Sequence, residues 1–266
     1  DVSILRGQGS ADAIKKVASG AADIGFADAG SLILARGNDG VPVKMVSIVY
    51  ASPPQALYAL ADSGIEGPKD LEGKTVADTA SSSIRLLFPA YAKAAGIDAD
   101  KVEWVAAESG SLPSLLSNGR VAAIGQFIVG EPLLAATAAP KKLVRLGYKD
   151  AGLDYYGNGL IATEETIEND PEMVKAFVRA TVKGMKDAFA DPQEAAEILA
   201  KYQKQISLEV GKGETEAVAE LAQVPGQKLG EIDPARVEST VEVISENFQL
   251  NNPVDPKDVY APGFVE

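Results

Sequence analysis

The stretch GAADIGFADAGSLILA, residues 20–35, decides the predicted fold, because a second stretch repeats its plan further along the chain. The second stretch is GRVAAIGQFIVGEPLLA, residues 119–135. Each contains an Ile-Gly pair, a glycine five residues later and an aliphatic run that ends in alanine. This pattern predicts a strand, a glycine-rich turn and a helix in each of two similar α/β lobes. A chance likeness between two Ala- and Gly-rich units is the alternative explanation.

The rest of the chain alternates between short apolar runs and amphipathic runs, a pattern typical of α/β proteins. Near the beginning, residues 2–5 predict a short strand, and Ser10 is a predicted cap of the helix that follows. Asp-Pro pairs at Asp170 and Asp191 predict two helix starts in an all-helical C-terminal part. We therefore predict an α/β fold of two lobes, each a mostly parallel sheet flanked by helices, with a helical tail.

The composition argues against several classes of function. The formal net charge is −13, and an acidic surface is unsuited to nucleic acid or to anionic lipid. The chain has no Cys and no His, so it lacks thiol and imidazole groups for catalysis or metal binding. No apolar run reaches the ~20 residues of a membrane span, so we expect no membrane insertion. These absences favour binding over catalysis, with no catalytic residue, metal or cofactor expected.

Two polar loops after predicted strands are candidates for binding a ligand. Asp78 and Thr79 precede a run of serines, of which Ser81 and Ser82 lie at a predicted helix start. Asp28 ends another predicted strand. Ligands of open α/β sheets bind at the carboxyl ends of strands, which favours a binding role. Helix capping by these serines and by Asp28 is the alternative.

Two further candidate positions lie in glycine-rich turns. Gly9 ends a Gly-Gln-Gly turn, but Asp12 stands where a dinucleotide fingerprint needs a glycine. The turn is therefore interpreted as exposed backbone amides near a cleft. Gln126 and Glu131 lie at the strand end of the second echo, where an amide and a carboxylate can bind a polar ring. For Glu131, interaction with the helix dipole is the alternative.

The segment Tyr155-Tyr156-Gly157-Asn158 lies where the chain is expected to recross between the lobes. Tyr156 could stack on a ring, and Asn158 could form hydrogen bonds with it. Packing of the hinge is the alternative for these residues.

Together these segments resemble the NMT1/THI5-like group of bacterial substrate-binding proteins, the solute receptors of ABC importers. The resemblance runs in order along nearly the whole chain, although each motif is short. The motifs that carry it are GSADA (9–13), SGAADI (19–24), VPVK (41–44), ADSGI (61–65), PKDL (68–71), GKTV (73–76), NGRVAA (118–123), Glu131-Pro132, YGN (156–158) and NPVD (252–255).

The resemblance implies the type II periplasmic-binding-protein fold, in which two α/β lobes joined by two crossing strands close on a ligand. The Gly- and Pro-rich stretch 62–68 then marks a lobe boundary, with lobe 1 at 1–63 and 158–266, lobe 2 at 64–157, and the helical tail on lobe 1. The group binds thiamine-precursor pyrimidines, riboflavin and alkylsulfonates. By position, its pocket maps onto Gly9, Ser10, Asp28, Gln55, Ser81, Ser82, Gln126, Glu131, Tyr156 and Asn158.

Two departures from the group are expected to matter. Relatives begin with one further strand and helix, so we expect this chain to lack that part of lobe 1, with any ligand contacts and export signal that it carries. The pyrimidine-synthesising enzymes of the group use a histidine and a cysteine-rich motif, and this chain has neither residue type.

We therefore expect a receptor that captures a small polar organic ligand, either a pyrimidine or other heterocycle or a sulfonate-like molecule, in the cleft between the lobes. The expected partners are this ligand and an ABC-transporter permease. We expect a monomer in the periplasm or anchored outside the membrane. Two alternatives stay open: an enzyme of the same architecture that acts on a pyrimidine or thiamine precursor, with Asp28 or Glu131 as base, and an extracytoplasmic sensor domain.

Overall fold

A computed structural model describes residues 2–265 and contains two β-sheets flanked by helices. Eight strands lie within these residues: β1 Gly25–Asp28, β2 Val43–Ile48, β3 Gln55–Leu60, β4 Thr75–Asp78, β5 Glu103–Ala106, β6 Ala123–Phe127, β7 Leu143–Gly147 and β8 Asn158–Thr163. Eleven α-helices lie within the same range: α1 Ser10–Ala18, α2 Ala29–Asp39, α3 Ser83–Ala95, α4 Leu112–Ser117, α5 Glu131–Ala138, α6 Glu164–Asn169, α7 Pro171–Ala190, α8 Pro192–Tyr202, α9 Leu208–Ala222, α10 Pro234–Asn247 and α11 Pro256–Val259.

The two sheets define two lobes. The first sheet has the strand order β1–β8–β2, and the second has the order β5–β4–β6–β3–β7. Elements built on the first sheet form lobe 1, and elements built on the second form lobe 2. The predicted two-lobed α/β architecture is therefore confirmed.

The prediction of mostly parallel sheets is confirmed, with one strand in each sheet running against the others. In the second sheet β4 runs parallel to β5 and β6, but β3 runs antiparallel to β6 and β7. In the first sheet β8 runs antiparallel to both β1 and β2. The reason is connectivity, because strands joined through a helix run in the same direction. In contrast, β3 and β8 each come from the other sheet without an intervening α-helix, and they enter in the opposite direction.

The chain crosses from the first sheet to the second earlier than the Gly- and Pro-rich stretch 62–68 indicates. β3 is hydrogen-bonded to β6 and β7, so it belongs to the second sheet although it lies inside the predicted range 1–63 of lobe 1. The crossing therefore lies between Ile48 and Gln55, and the chain returns between Gly147 and Asn158. A turn-forming composition marks the end of β3 but does not show which sheet β3 joins.

Residues 2–5 do not form the predicted strand. Val2, Ile4 and Leu5 are 70%, 92% and 57% exposed. A strand needs hydrogen bonds to a neighbouring strand and burial of one face. Residues 2–5 have no partner strand within residues 2–265. An apolar pattern alone is therefore not enough to form a strand at residues 2–5.

The echo between residues 20–35 and 119–135 rests on three pairs of equivalent glycines. The pairs are Gly20 and Gly119, Gly25 and Gly125, and Gly30 and Gly130. Gly20 and Gly119 adopt φ angles of 72° and 65°, in the left-handed region that favours glycine. A Cβ would come too close to neighbouring side chains at the other four, Gly25, Gly30, Gly125 and Gly130. The echo therefore reflects the same backbone requirements in both lobes: a left-handed turn, a closely packed strand and a closely packed segment at the start of a helix.

The C-terminal helices cover lobe 1, and one of them also contacts lobe 2. Val174 and Val178 of α7 are buried in one apolar cluster with Val46 of β2. α9 packs against α5 of lobe 2, where a Cβ at Gly213 would lie 3.0 Å from the ring of Pro132. The tail therefore adds a contact between the lobes beyond the two chain crossings.

Candidate functional site

The buried carboxylate of Asp28 is the centre of a polar cluster between the lobes. Its Oδ1 accepts hydrogen bonds from the backbone N–H (2.8 Å) and the hydroxyl (3.2 Å) of Ser31. Its Oδ2 accepts one from Gln55 Nε2 at 2.7 Å, and Gln55 Nε2 also donates to Ser83 Oγ at 3.2 Å. The hydroxyl of Ser10 accepts the Asp28 backbone N–H at 3.1 Å. We call Ser10, Asp28, Ser31, Gln55 and Ser83 the polar junction.

The polar junction links the lobes because its residues lie at the ends of elements from both. Asp28 ends β1 and caps α2 in lobe 1. Gln55 begins β3 and Ser83 begins α3, both in lobe 2. Ser10 begins α1 and does not cap it as predicted; the chain turns one residue earlier, at Gly9, so the Ser10 hydroxyl is free to bind β1. Hydrogen bonds therefore run from Asp28 through Gln55 to Ser83, across the cleft.

Several buried polar atoms around Asp28 have no hydrogen-bond partner among residues 2–265. They are Gln55 Oε1, Asn158 Oδ1 and the hydroxyl of Tyr155. Asn158 lies opposite Asp28 in the pairing of β1 and β8, and the charge of Asp28 helps to raise the pKa of Tyr155. An unpaired buried polar group costs about 1–3 kcal/mol. The surroundings of Asp28 are therefore suited to hydrogen bonds from a ligand.

Burial controls the ionisation of Asp28. Asp28 is 0% exposed, and burial raises its pKa to about 6. Hydrogen bonds from Ser31 and Gln55 oppose this rise. All these donors are neutral groups, so they stabilise the carboxylate without neutralising its charge.

A second buried carboxylate, Asp78, ends β4 in lobe 2. Burial raises its pKa to about 6, while hydrogen bonds from Ser82 and Thr79 and the charge of Arg85 oppose the rise. The Thr79 backbone N–H donates to Oδ1 at 2.6 Å, and Oδ2 has no partner among the described residues. A Cβ at Gly125 would overlap this carboxylate. The glycine of the second echo therefore makes room for a buried acid.

The two lobes touch at Gly9 and Ser81. Gly9 has a φ of 116°, and a Cβ there would overlap the carbonyl oxygen of Ser81. The Ala11 backbone N–H donates to the same carbonyl at 3.3 Å. Ser82 caps α3 by accepting the Ile84 backbone N–H at 3.1 Å. Gly9 and Ser81 therefore form a contact between the lobes. Ser82 caps a helix, which was the alternative to a binding role.

Three aromatic side chains, Phe26, Tyr50 and Phe127, form what we call the aromatic strip. The ring centroids of Phe26 and Tyr50 are 5.4 Å apart, those of Tyr50 and Phe127 are 6.4 Å apart, and both pairs are edge-to-face. Phe26 lies two residues before Asp28 on β1, and Phe127 is opposite Gln55 in the pairing of β3 and β6. Side chains in these relations share a sheet face. The strip therefore provides an apolar wall beside the polar junction.

Helix α9 adds another carboxylate near the aromatic strip. Burial, followed by the charge of Glu214, raises the pKa of Tyr50 to about 12. Burial also raises the pKa of Glu214 itself. An acid of the C-terminal tail therefore lies close to a ring at the crossing between the lobes.

Gln126 and Glu131 lie apart from the polar junction. On β6, Gln126 lies between Gly125 and Phe127, so its side chain is on the sheet face opposite to that of the Phe127 ring. A Cβ added at Gly130 would overlap the amide of Gln126 on that face. The Glu131 carboxylate accepts hydrogen bonds from the hydroxyl of Tyr58 (2.8 Å) and from Arg145 Nη1 (3.0 Å). Both hydrogen bonds are accepted by Oε2 of Glu131. Glu131 also lines a groove of about 320 Å³ between α5 and α9, with Ile128, Pro132, Ala135, Arg145, Ala217 and Glu220.

Tyr156 and Asn158 have different environments at the return crossing. The Tyr156 hydroxyl accepts the Asp233 backbone N–H at 2.9 Å, and the Tyr156 N–H donates to the Thr240 hydroxyl at 3.1 Å. The guanidinium of Arg236 lies 5.3 Å from the ring centre of Tyr156. Tyr156 therefore packs the hinge against α10, whereas Asn158, 2% exposed, lies beside Asp28.

Sequence reasoning missed three residues of this region: Phe26, Tyr50 and Glu214. The period of a strand could have identified Phe26, because it places that residue on the same face as Asp28. Ser83 belongs to the serine run named from the sequence, although it is not among the pocket residues mapped by the resemblance. Glu214 has no local signal, because only the packing of α9 brings it near Tyr50.

Among residues 2–265, no group of three or more Asp or Glu side chains is arranged to hold a metal ion. In the same range no helix combines the length and the apolar character needed to span a membrane.

Comparison with known proteins identifies relatives of both binding and enzymatic type. The chain is 28% identical over 269 residues to the formylaminopyrimidine-binding protein of Halalkalibacterium halodurans, covering 98% of this chain and 80% of the relative. It is 26% identical over 208 residues to the 4-amino-5-hydroxymethyl-2-methylpyrimidine phosphate synthase of Legionella pneumophila, covering 77% of this chain and 65% of the synthase.

The fold also matches a solved binding protein. The alkanesulfonate-binding protein SsuA from Xanthomonas axonopodis pv. citri, bound to MOPS, superposes with a TM-score of 0.76 at 14% identity. The match covers 96% of this chain and 86% of that protein, and it establishes the type II periplasmic-binding-protein fold. The family model described as NMT1/THI5 like matches residues 1–195, nearly three quarters of the sequence, so the chain belongs to the NMT1/THI5-like family.

Proposed function

We propose that this protein is the solute-binding receptor of an ABC importer and captures a small polar organic ligand between its lobes. The observation that carries the proposal is the polar junction, which is buried, spans both lobes and has an unpartnered acceptor atom at Gln55. The neighbouring Asn158 supplies a second unpartnered acceptor. The binding protein among its relatives, and the ligand-bound neighbour with the same fold, support this role.

Capture follows from the contacts between the lobes. Opening the cleft would break the Gly9–Ser81 contact and the hydrogen bond from Gln55 to Asp28. A ligand that forms hydrogen bonds with both lobes stabilises the closed form relative to the open form. The closed form then docks on the permease, and no covalent step is needed.

The proposed partners and location follow from this role. The permease of the transporter is the protein partner, and the receptor works as a monomer outside the cytoplasmic membrane, free in the periplasm or anchored. The periplasmic-binding-protein fold supports the extracytoplasmic location.

Mass spectrometry of the small molecules released when the purified protein is denatured tests the proposal. The expected result is one small organic molecule in near-equal molar amount, which raises the melting temperature when it is added back to stripped protein. Ligand at 100 times its Kd stabilises a protein by about 2.7 kcal/mol. A protein that carries no ligand, and whose melting temperature no heterocycle or sulfonate raises, would contradict the receptor role.

A second candidate function is an enzyme of the same architecture that acts on a pyrimidine or thiamine precursor. It is favoured by the buried carboxyl of Asp28, whose pKa of about 6 suits a general base. Glu131, the other base considered, is already bound to Tyr58 and Arg145. Incubation with a formylaminopyrimidine, followed by mass spectrometry, distinguishes the two functions. Turnover that Asp28→Asn abolishes favours the enzyme, whereas binding without turnover favours the receptor.

A further inference from the structure

Asp28 occupies the position where three helices begin. α1, α2 and α3 start at Ser10, Ala29 and Ser83, and these starts meet around the polar junction. The first turn of a helix has unpaired N–H groups and a partial positive charge, which together favour an anion. At the start of α2 the Asp28 carboxylate already serves as that anion, because its Oδ1 accepts the Ser31 N–H at 2.8 Å. The first turns of α1 and α3 are bound instead by the Ser81 carbonyl and by the Ser82 hydroxyl.

Two of the three unpartnered groups near Asp28 are acceptors and require donors from a ligand, whereas the third, the Tyr155 hydroxyl, can donate or accept. The amide nitrogen of Gln55 is used by Asp28 and Ser83, so its free atom is the acceptor Oε1. Asn158 Oδ1 is a second free acceptor, and both residues are at most 2% exposed. A sulfonate has only acceptor oxygens and a negative charge. It would leave these atoms unpaired and would be repelled by Asp28.

The aromatic strip favours a ligand with a flat ring. Phe26 shares a strand face with Asp28, and Phe127 lies opposite Gln55. Phe26 is 40% exposed, so part of its ring is free to contact another molecule. A planar ring packed on this strip can direct N–H groups at its edge toward the polar junction.

We infer that Asp28 is a specificity-determining residue of the cleft: it selects a planar heterocycle that carries N–H donors and excludes sulfonates and other anions. This inference rests on the proposed receptor function and narrows its ligand class. Asp28 does so by supplying, from the protein itself, the negative charge that the start of α2 would otherwise take from a ligand.

Isothermal titration tests the inference with two kinds of probe. The heterocycle probes are a formylaminopyrimidine, cytosine and adenine. The anionic probe is MOPS, and all titrations use a sulfonate-free buffer at a pH high enough to leave the morpholine nitrogen of MOPS without a proton. Each is titrated into the wild-type chain, into Asp28→Asn and into the control Asp23→Asn. Asn is close to Asp in shape and also caps helices, so Asp28→Asn removes the charge with little change in packing. Asp23 is an exposed acid of the same lobe, and its substitution changes the net charge equally.

The wild-type chain should bind at least one heterocycle and show no heat with millimolar MOPS. Asp28→Asn should bind that heterocycle at least tenfold more weakly and should bind MOPS at least tenfold more tightly than the wild type does. Asp23→Asn should behave as the wild type. A melting temperature close to the wild-type value shows that each variant is folded.

Three results would overturn the inference. If MOPS binds the wild-type chain as tightly as it binds Asp28→Asn, the carboxylate excludes no anion. Equal heterocycle affinity in the wild type and Asp28→Asn shows that the carboxylate does not select the ligand. Both results leave the receptor function standing. Wild-type chain that binds no probe overturns the inference and also counts against the receptor function.

Discussion

The two echoing stretches, 20–35 and 119–135, place their acidic residues in opposite environments. In the first, β1 continues directly into α2, and Asp28 ends the strand and caps the helix with 0% exposure. In the second, a 3-10 turn at Ile128–Gly130 separates β6 from α5, and the side chain of Glu131 is 37% exposed. The turn moves the acid from the strand end to the outer side of the lobe. Similar local units therefore present different chemistry when the connection between strand and helix differs.

The largest expected effect is on the pH dependence of stability, through Asp28. Burial raises its pKa from 3.8 to about 6, so the folded chain binds this proton more tightly than the unfolded chain does. The free energy of unfolding should therefore fall as the pH rises from about 4 to about 6, by roughly 3 kcal/mol for this group. Asp28→Asn removes this titration.

Urea unfolding of both chains at pH 4 and pH 7 measures the contribution. The stability of the wild type relative to Asp28→Asn should be lower at pH 7 than at pH 4. Acids with lowered pKa values contribute equally to both chains and cancel in the difference. If the free energies of unfolding of the two chains change equally between pH 4 and pH 7, Asp28 titrates as an exposed acid does. The contrast between a buried Asp28 and an exposed Glu131 would then be wrong.

A smaller effect is expected from Gly30 and Gly130, the last glycine of each echoing stretch. A Cβ at Gly30 would press on Ile244 and on Leu87 of the other lobe, so Gly30→Ala should cost about 1–3 kcal/mol of stability. At Gly130 the nearest group is the terminal amide of Gln126, which can rotate away, so Gly130→Ala should cost less than about 1 kcal/mol. Equal losses in urea unfolding would indicate that the two turns are equally constrained.

The smallest of the three effects concerns ligand affinity. Asn158→Ala removes an unpartnered acceptor beside Asp28 and should weaken binding of a formylaminopyrimidine by about 1–1.5 kcal/mol, roughly tenfold. Glu131→Ala should change the affinity by less than about threefold, because Tyr58 and Arg145 already occupy its carboxylate. Titration calorimetry measures both. A larger loss from Glu131→Ala would place the ligand at the groove between α5 and α9.

Local elements were predictable where neighbours in sequence determine them. The Asp-Pro pairs at Asp170 and Asp191 predict helix starts, and in the structure both aspartates cap the helices that follow. The turns at Gly20 and Gly119 are likewise local, since each needs a left-handed backbone. Capping and backbone conformation involve residues within one turn of each other, so the sequence contains the whole signal.

The errors concern interactions between residues far apart in the chain. Residues 2–5 have a strand-like pattern, but a pattern provides no hydrogen-bonding partner. β3 precedes a Gly- and Pro-rich turn, yet its pairing with β6 and β7 places it in the second sheet. Ser10 looks like a cap, yet its hydroxyl binds Asp28. In each case a partner distant in sequence decides the outcome.

The candidate site likewise contains residues that the sequence identified and residues that only the tertiary structure brings together. Asp28, Gln55 and Asn158 were named from the sequence and lie together in the structure. Gln126 and Glu131 lie on the other side of the second sheet, because alternation along β6 and the turn before α5 direct them there. Tyr156 is used in packing the hinge. Phe26, Tyr50 and Glu214 become neighbours only when both lobes and α9 are assembled.

The sequence by itself determined the α/β class, the positions of most strands and helices, the family, and the absence of imidazole and thiol chemistry. Each of these depends on residue types or on contacts within a few residues. Only the tertiary structure decided which sheet each strand joins, which acids are buried, and which face of a strand meets the cleft. Burial, pKa and hydrogen-bond partners depend on atoms contributed by distant segments, and Asp28, Gln55 and Ser83 come into contact only after the chain has crossed between the lobes.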